Sequence, residues 1–423
     1  MKILVLSERF PPEGSGGPLA TYLLLSKLVK EERVKVTVLT STKRPWCIPK
    51  VKYIFLSQLT GKNKFEALFN QLSATLNPKI VDIVKEHDLI YITDHSYPFA
   101  FVAKKLKKPV IVHLHDFFPI SASSTILNNK EIKRNTFSLI HDRLCEALYY
   151  EVLQGRTLLR GIGSSCTHPI HALVTISALM FSNIIVTVSR LQLDMIIAHI
   201  PFIKNKIRIL YNMPPPLPSL GRPSSARPSY LYLGGANIVK GFHLIIKTIL
   251  ILKKRFRKGD YELILAGIGM KNAPTWLKYS LSSPRSINSI VAQLFRIKGV
   301  KVLEWMERRA LLSYLKSSWS LIHPSICYEP LPYALIEACL AGRIPITNTK
   351  TGFIELIPRT LIKDFLLIKN TPEEIAEKIT LIGVLSPDEV YDIGCKIRQK
   401  MMHKLNPDII IRKFLNIIYQ VTS

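Results

Sequence analysis

Short runs of β-branched and aliphatic residues alternate along this chain with longer stretches whose apolar positions recur three and four residues apart. In the first half the short runs are Ile3 to Leu6, Val36 to Thr40, Leu89 to Thr93 and Val110 to His115. Continuous apolar runs of this length, separated by helix-length segments, predict βαβ units and a parallel sheet covered on both faces. The pattern breaks between Asn212 and Tyr230, where the chain reads Met-Pro-Pro-Pro-Leu-Pro-Ser-Leu-Gly-Arg-Pro-Ser-Ser-Ala-Arg-Pro-Ser. Prolines at that density can join neither a helix interior nor a central strand. The alternation then restarts, with strands predicted at Leu231 to Leu233, Glu262 to Ala266, Lys301 to Glu304 and Ser320 to His323, and a helix from Phe242 to Phe256.

The organisation expected is two α/β domains, at 1–212 and 230–404, joined by a linker at 213–229. A terminal stretch, Pro407 to Tyr419, has helical apolar spacing, and the segment 405–423 is expected to pack back on the first domain. A length of 423 residues and a hydrophobic content of 48% are enough for two cores.

Charge changes the picture. Lys and Arg number 58 against 30 Asp and Glu, a formal charge of +28, which points to an anionic partner. Two basic runs, Lys104-Lys-Leu-Lys-Lys108 and Lys253-Lys-Arg-Phe-Arg-Lys258, contain Phe256 as their one aromatic, too little for a base-stacking platform. They are read as solvated faces or a contact with anionic lipid headgroups, and nucleic acid is not expected as a partner. The six cysteines, Cys47, Cys145, Cys166, Cys327, Cys339 and Cys395, show no C-x-x-C spacing, so neither a zinc site nor a redox motif is indicated.

The opening Met1 to Arg9 meets charge too early for a secretory h-region, and a cytoplasmic protein is expected. From Gly161 to Ser189 there is no Asp, Glu, Lys or Arg. Its Ser, Thr, His, Asn and Pro content favours a buried helix leading into a strand at Asn183 to Val188 over a bilayer span.

Candidate chemistry lies where predicted strands end. The first strand runs into Phe10-Pro-Pro-Glu-Gly-Ser-Gly-Gly17 and then an apolar helix. Glycines at such a turn let backbone N–H groups approach an anion, although a tight turn without a ligand reads the same way. The spacing is not G-x-G-x-x-G, so a dinucleotide fingerprint is not supported. The strand from Val110 ends at His115-Asp116, at the carboxyl edge where open α/β sheets bind ligands. In the second domain, Gly234-Gly-Ala-Asn-Ile-Val-Lys-Gly241 places Lys240 just before a helix, suited either to a diphosphate or to solvent. The fullest constellation is His323-Pro-Ser-Ile-Cys-Tyr-Glu-Pro-Leu-Pro-Tyr-Ala-Leu-Ile-Glu-Ala-Cys-Leu-Ala-Gly342. Glu329 precedes a helix opened by Pro332, Glu337 lies inside it and Gly342 closes it. Carboxylates accept hydrogen bonds from vicinal sugar hydroxyls, and a helix N-terminus holds phosphate, so the pair suits a nucleotide-sugar.

These motifs, with Val186-Thr-Val-Ser189, Tyr211-Asn212, Ala266-Gly-Ile-Gly269 and Glu355 after Thr351-Gly352, closely resemble glycosyltransferase family four along nearly the whole chain. The resemblance implies a GT-B fold, two facing Rossmann-like domains with parallel sheets and a cleft between them. It further implies a retaining hexosyltransferase acting in that cleft, with the acceptor on the first domain and the nucleotide-diphosphate-sugar donor on the second. Glu337 would hold the ribose hydroxyls, Glu329 the transferred sugar, and Lys240 the diphosphate. Gly16, Gly17, Gly267, Ser325 and Leu331 would complete donor binding, and His115 would touch the sugar near its anomeric carbon. No Asp-x-Asp occurs, so no metal and no cofactor are expected. Leaving-group charge would fall to Lys240, helix dipole and amides.

Two departures stand out. The family usually carries Gly-Arg where this chain has Gly234-Gly235, which makes a catalytically weak or inactive nucleotide-sugar-binding protein the alternative. The first glycine loop continues as Pro18-Leu-Ala-Thr21 where many relatives place a charged acceptor-side residue, leaving the acceptor open. A lipid-linked or membrane-associated glycan, reached from the inner face of the membrane, is expected on charge and on the apolar first domain.

Overall fold

The computed structural model describes residues 1–14, 16–121, 124–127, 148, 158–255, 260–268, 294, 296–305 and 308–422. Ser15, Cys145, Gly269 and residues 256–258, named above, lie outside them. The chain divides into two units, one holding the described residues up to Pro214 together with the segment from Leu405, the other running from Pro215 to Lys404.

In the first unit seven parallel strands lie in the order β3-β2-β1-β4-β5-β6-β7. They are β1 (Lys2–Ser7), β2 (Lys35–Thr40), β3 (Val51–Phe55), β4 (Leu89–Thr93), β5 (Val110–Leu114), β6 (Ile184–Thr187) and β7 (Ile207–Ile209). Strand order reverses between β1 and β4, which pair from Ile3↔Leu89 to Ser7↔Thr93. Every residue of β4 and β5 is buried, as a sheet flanked on both faces by helices requires. The helices are α1 (Gly16–Leu28), α2 (Lys64–Ala74), α3 (Pro78–Lys85), α4 (Phe99–Lys105), α5 (Leu158–Phe181) and α6 (Arg190–His199). Ser189 caps α6, accepting from the Gln192 N–H at 3.1 Å, and the Gln192 Oε1 accepts from the Val188 N–H at 2.9 Å. The same Gln192 donates Nε2 to the Asp116 carbonyl at 2.7 Å, fixing the chain beyond β5.

The second unit repeats the design with six parallel strands in the order β10-β9-β8-β11-β12-β13. These are β8 (Ser229–Tyr232), β9 (Glu262–Leu265), β10 (Val300–Val302), β11 (Ser320–His323), β12 (Ile344–Asn348) and β13 (Leu366–Leu367). Its helices are α7 (Phe242–Arg255), α8 (Arg308–Ser317), α9 (Tyr333–Leu340), α10 (Arg359–Ile362), α11 (Pro372–Gly383) and α12 (Pro387–Lys404). Here the order reverses between β8 and β11. The last helix, α13 (Pro407–Thr422), belongs to the first unit, where Asp408 meets Lys27 at 3.0 Å and the Phe414 ring lies 5.2 Å from that of Tyr91.

Several predicted boundaries shift by one or two residues. The strand expected at Lys301 to Glu304 runs Val300–Val302, and that at Leu231 to Leu233 runs Ser229–Tyr232. Pro332 is not the first helical residue but the extended residue before α9. The uncharged stretch after Gly161 forms most of α5 and then β6; among the described residues no helix is long and apolar enough to cross a membrane.

The proline-rich segment before β8 has no regular secondary structure, so its carbonyls need partners from elsewhere. Arg343, fully buried, donates Nε to the Leu315 carbonyl at 2.7 Å, Nη1 to that of Gly221 at 3.1 Å and Nη2 to that of Lys316 at 3.4 Å. Trp319 Nε1 adds a bond to the Ser225 carbonyl at 3.0 Å. Burial moves the Arg343 guanidinium down to about 10, still charged at neutral pH. Arg343→Met is expected to leave carbonyls unpaired at about 1–3 kcal/mol each, read as a lower urea midpoint; an unchanged midpoint would refute the anchoring role.

Candidate active site

Strand β8 passes into a glycine loop whose geometry tolerates little else. Gly234 has no room for a Cβ beside the Tyr232 ring, and Gly241, at φ 82°, faces the Pro324 carbonyl so closely that any Cβ would collide with it. The Tyr232 hydroxyl lies 3.1 Å from the Gly235 carbonyl and 3.3 Å from that of Lys240, tying the loop to its strand. A short 3₁₀ turn, Ile238–Lys240, is capped by Asn237, whose side chain accepts from the Val239 N–H at 2.9 Å. Ser325, just past β11, donates Oγ to the Val239 carbonyl at 3.1 Å, and Asn348 at the end of β12 donates Nδ2 to the Ser325 carbonyl at 2.6 Å. Three strand ends are thereby joined.

This frame carries a compact charge group. Glu329 is 8% exposed, with Oε1 at 2.9 Å from His323 Nε2 and Oε2 at 3.0 Å from Lys240 Nζ. Its backbone is fixed as well, its N–H donating to the Lys350 carbonyl at 2.9 Å and its carbonyl accepting from Gly352 at 3.0 Å. Burial opposes the charge, but Lys240 and then His323 outweigh it and hold the carboxyl well below the usual carboxylate range. An ionised carboxylate so placed can accept hydrogen bonds from hydroxyls, while Lys240 stands before the N-terminus of α7.

Lys240, Ser325 and Glu329 are thus brought together, and His323 joins them. Gly267, at φ 77° beyond β9, abuts Gly235, at φ 61°, where a Cβ would lie 3.0 Å from the Gly267 carbonyl. Leu331 is buried on the loop after Glu329, and Glu337, 6% exposed, lies in an otherwise apolar α9.

In the first unit Gly16 and Gly17 are the first residues of α1. A Cβ on Gly17 would sit 3.0 Å from Asp94 Oδ1 and 3.2 Å from His115 Cβ, so glycine lets the helix start against the ends of β4 and β5. Both His115 ring nitrogens are buried without a hydrogen-bond partner among the described residues. Burial moves the imidazole down to about 4 against the pull of Asp116, so it is neutral at pH 7. The His113 ring lies tilted against it at 4.2 Å between ring centroids, and His113 bonds to the Tyr91 hydroxyl at 2.6 Å.

Sequence reasoning missed the group beside them. Asp94, at φ 57°, accepts from the Ser7 hydroxyl at 3.1 Å; burial first, then Glu8 and Asp116, raise its carboxyl to about 7 against the opposing pull of His95. His95 lies 2.9 Å from Asp116 and 3.7 Å from Glu8, and these carboxylates raise its pKa despite burial. His323 was in view but given no role. The available signal was positional: Glu8 and Asp94 directly follow β1 and β4, the two strands at the order reversal.

Comparison with known proteins separates the two units. Residues 222–385, all in the second, match the family model described as Glycosyl transferases group 1. No curated protein matches the chain in sequence. Among solved structures, HepE of Anabaena, in complex with UDP and glucose, is 15% identical, with 99% of each chain covered and a TM-score of 0.64. Sucrose-phosphate synthase of Thermosynechococcus elongatus is 16% identical, with 99% of this chain and 98% of that one covered and a TM-score of 0.69. The fold is GT-B. A glycosyltransferase of Rickettsia africae shares it, at 16% identity, 100% and 98% coverage and a TM-score of 0.64.

Asp94 and His115 bias stability in opposite directions. Asp94, raised from 3.8 to about 7, contributes stability that is complete below pH 3.8 and lost as pH rises through about 7. His115, lowered from 6.5 to about 4, contributes stability that is complete above pH 6.5 and lost as pH falls through about 4. Asp94→Asn removes the first, so its unfolding free energy is expected to climb more steeply with pH across that window than the wild type's. Parallel profiles in urea titrations would refute the assignment.

Proposed function

We propose that this chain is a retaining, metal-independent glycosyltransferase. It would move a sugar from a nucleoside-diphosphate-sugar to a hydroxyl of a lipid-linked or membrane-associated glycan, in the cytoplasm at the inner face of the membrane. The observation that carries the reading is the buried Glu329 held ionised between Lys240 and His323, inside the segment that matches Glycosyl transferases group 1. Fold alone would not carry it, because GT-B-like scaffolds host function only through their sites.

In this reading Glu329 accepts hydrogen bonds from the transferred sugar and Glu337 from the ribose. Lys240 and the N-terminus of α7 meet the diphosphate, with Ser325, Gly267 and Leu331 shaping the donor's surroundings. Gly16 and Gly17 offer backbone N–H groups, and neutral His115 offers a ring nitrogen near the anomeric carbon. Charge developing on the leaving phosphate is then met by preorganised donors in place of a metal. The acceptor oxygen forms its bond to the anomeric carbon as the carbon–phosphate oxygen bond breaks on the same face. The bonding pair leaves with the nucleoside diphosphate, and the acceptor proton passes to the departing phosphate. That HepE was solved with UDP and glucose and a trehalose-6-phosphate enzyme of E. coli with UDP-2-fluoro glucose supports a uridine diphosphate donor.

Nucleoside diphosphate released from one member of a nucleotide-sugar panel, with EDTA present, is the expected result. Glu337→Ala should weaken donor binding by on the order of 100-fold, since charge-assisted hydrogen bonds contribute about 1.5–3 kcal/mol each. Unchanged turnover in that variant would remove Glu337 from the site, and a requirement for added metal would overturn metal independence.

A second reading, donor binding with weak or no turnover, is favoured by Gly235. Its left-handed φ of 61° and the nearby Gly267 carbonyl leave no unstrained place for an arginine, so the diphosphate is deprived of one cation. Calorimetric binding of a donor that is never consumed, with any acceptor, would decide for it.

A further inference from the structure

The outward face of α5 is apolar where a surface helix is ordinarily charged. Leu159, Ile162, Ile170, Leu173 and Met180 recur at three, seven or eight residues, which keeps them on one helical face, and are exposed, Leu173 at 59% and Met180 at 51%. The opposite face is buried, through Ala172, Ile176, Ala178 and Leu179 together with the polar His168, His171 and Thr175. Helix α2, which touches α5, adds exposed Phe65 and Phe69, the latter at 66%.

Basic side chains gather at the C-terminal end of this stripe. Lys206 donates Nζ to the Met180 carbonyl at 2.6 Å and to that of Ser182 at 3.0 Å, completing the last turn of α5. Lys104 lies close enough to add its repulsion to the burial that lowers the Lys206 ammonium. The exposed Phe181 ring meets Phe101 edge-on at 5.6 Å, one turn before exposed Lys104 and Lys105 on α4. Exposed Phe202 and Lys204 lie on the turn that carries Lys206.

We propose that this face of the first unit docks on a bilayer bearing anionic headgroups, with α5 lying in the plane of the interface. Apolar side chains enter the acyl boundary while the lysines meet lipid phosphates, the arrangement that favours an interfacial helix over a spanning one. Charge complementarity commits the partner to lipid: a chain of formal charge +28 places cations beside its exposed aromatic and aliphatic groups. The inference deepens the reading of a membrane-borne acceptor, yet lipid binding is measured without donor or acceptor, so each fails separately.

Cosedimentation with phosphatidylcholine vesicles, with and without phosphatidylglycerol, at low and high salt, tests it on the full chain. Wild type should bind the anionic vesicles at low salt, and binding should weaken with salt. Leu173→Asp with Met180→Asp should abolish binding, and Leu173→Ser with Met180→Ser should weaken it strongly, circular dichroism and melting temperature being retained. Lys104→Gln with Lys105→Gln should cost about 30-fold in affinity. Absence of binding to anionic vesicles, or wild-type binding by the folded Ser variant, would overturn the proposal. So would a dimer that the Ser variant dissociates and that shows no affinity for vesicles, since the face would then belong to a second copy.

Discussion

A carboxylate taken out of water must be compensated, and in the second unit that requirement organises the ends of three strands. Glu329 is stable as an anion only because Lys240 and His323 reach it together. Lys240 reaches it because the β8 loop is closed over Tyr232, and that closure needs Gly241 against Pro324 at the end of β11. Pro324 and Ser325 are held in turn by Val239 and Asn348. The glycines, the hydroxyls and the amide are therefore parts of one arrangement whose purpose is electrostatic.

The first unit treats charge differently at the corresponding place. Glu8, Asp94 and Asp116 crowd the ends of β1, β4 and β5, where His95 reaches both Glu8 and Asp116. Repulsion and burial leave Asp94 at about 7, and His115 beside it is neutral. One unit fixes a permanent negative charge within reach of a permanent cation. The other sets an ionised Asp116 against His95 and keeps Asp94 and His115 largely without charge.

Much of this is legible in the sequence. Parallel sheets announce themselves because both faces are buried, so β1, β4 and β5 read as near-continuous apolar runs. Three of the four edge strands gave no such signal: β3 is only partly buried along its length, and β7 and β13 are three and two residues long. The glycine loop before α7 and the segment around α9 single out Lys240 and Glu329 by composition, and the structure brings both together with Ser325. Asp94 and His95 are not singled out, because nothing in Asp94-His-Ser-Tyr97 states that β1 and β5 deliver Glu8 and Asp116 to the same place. That depends on strand order, which a local pattern does not contain.

The pairing of Lys240 with Glu329 has a consequence for turnover. If the pair binds donor as proposed, any diphosphate that draws Lys240 away leaves Glu329 Oε2 without its cation while His323 keeps Oε1, and a sugar hydroxyl can take the vacated place. The intact donor brings both groups, whereas the spent nucleoside diphosphate brings one, so the empty protein re-forms its internal ion pair at the product's expense. The same contact that orders the site at rest would act as a built-in expulsion device, keeping product inhibition low.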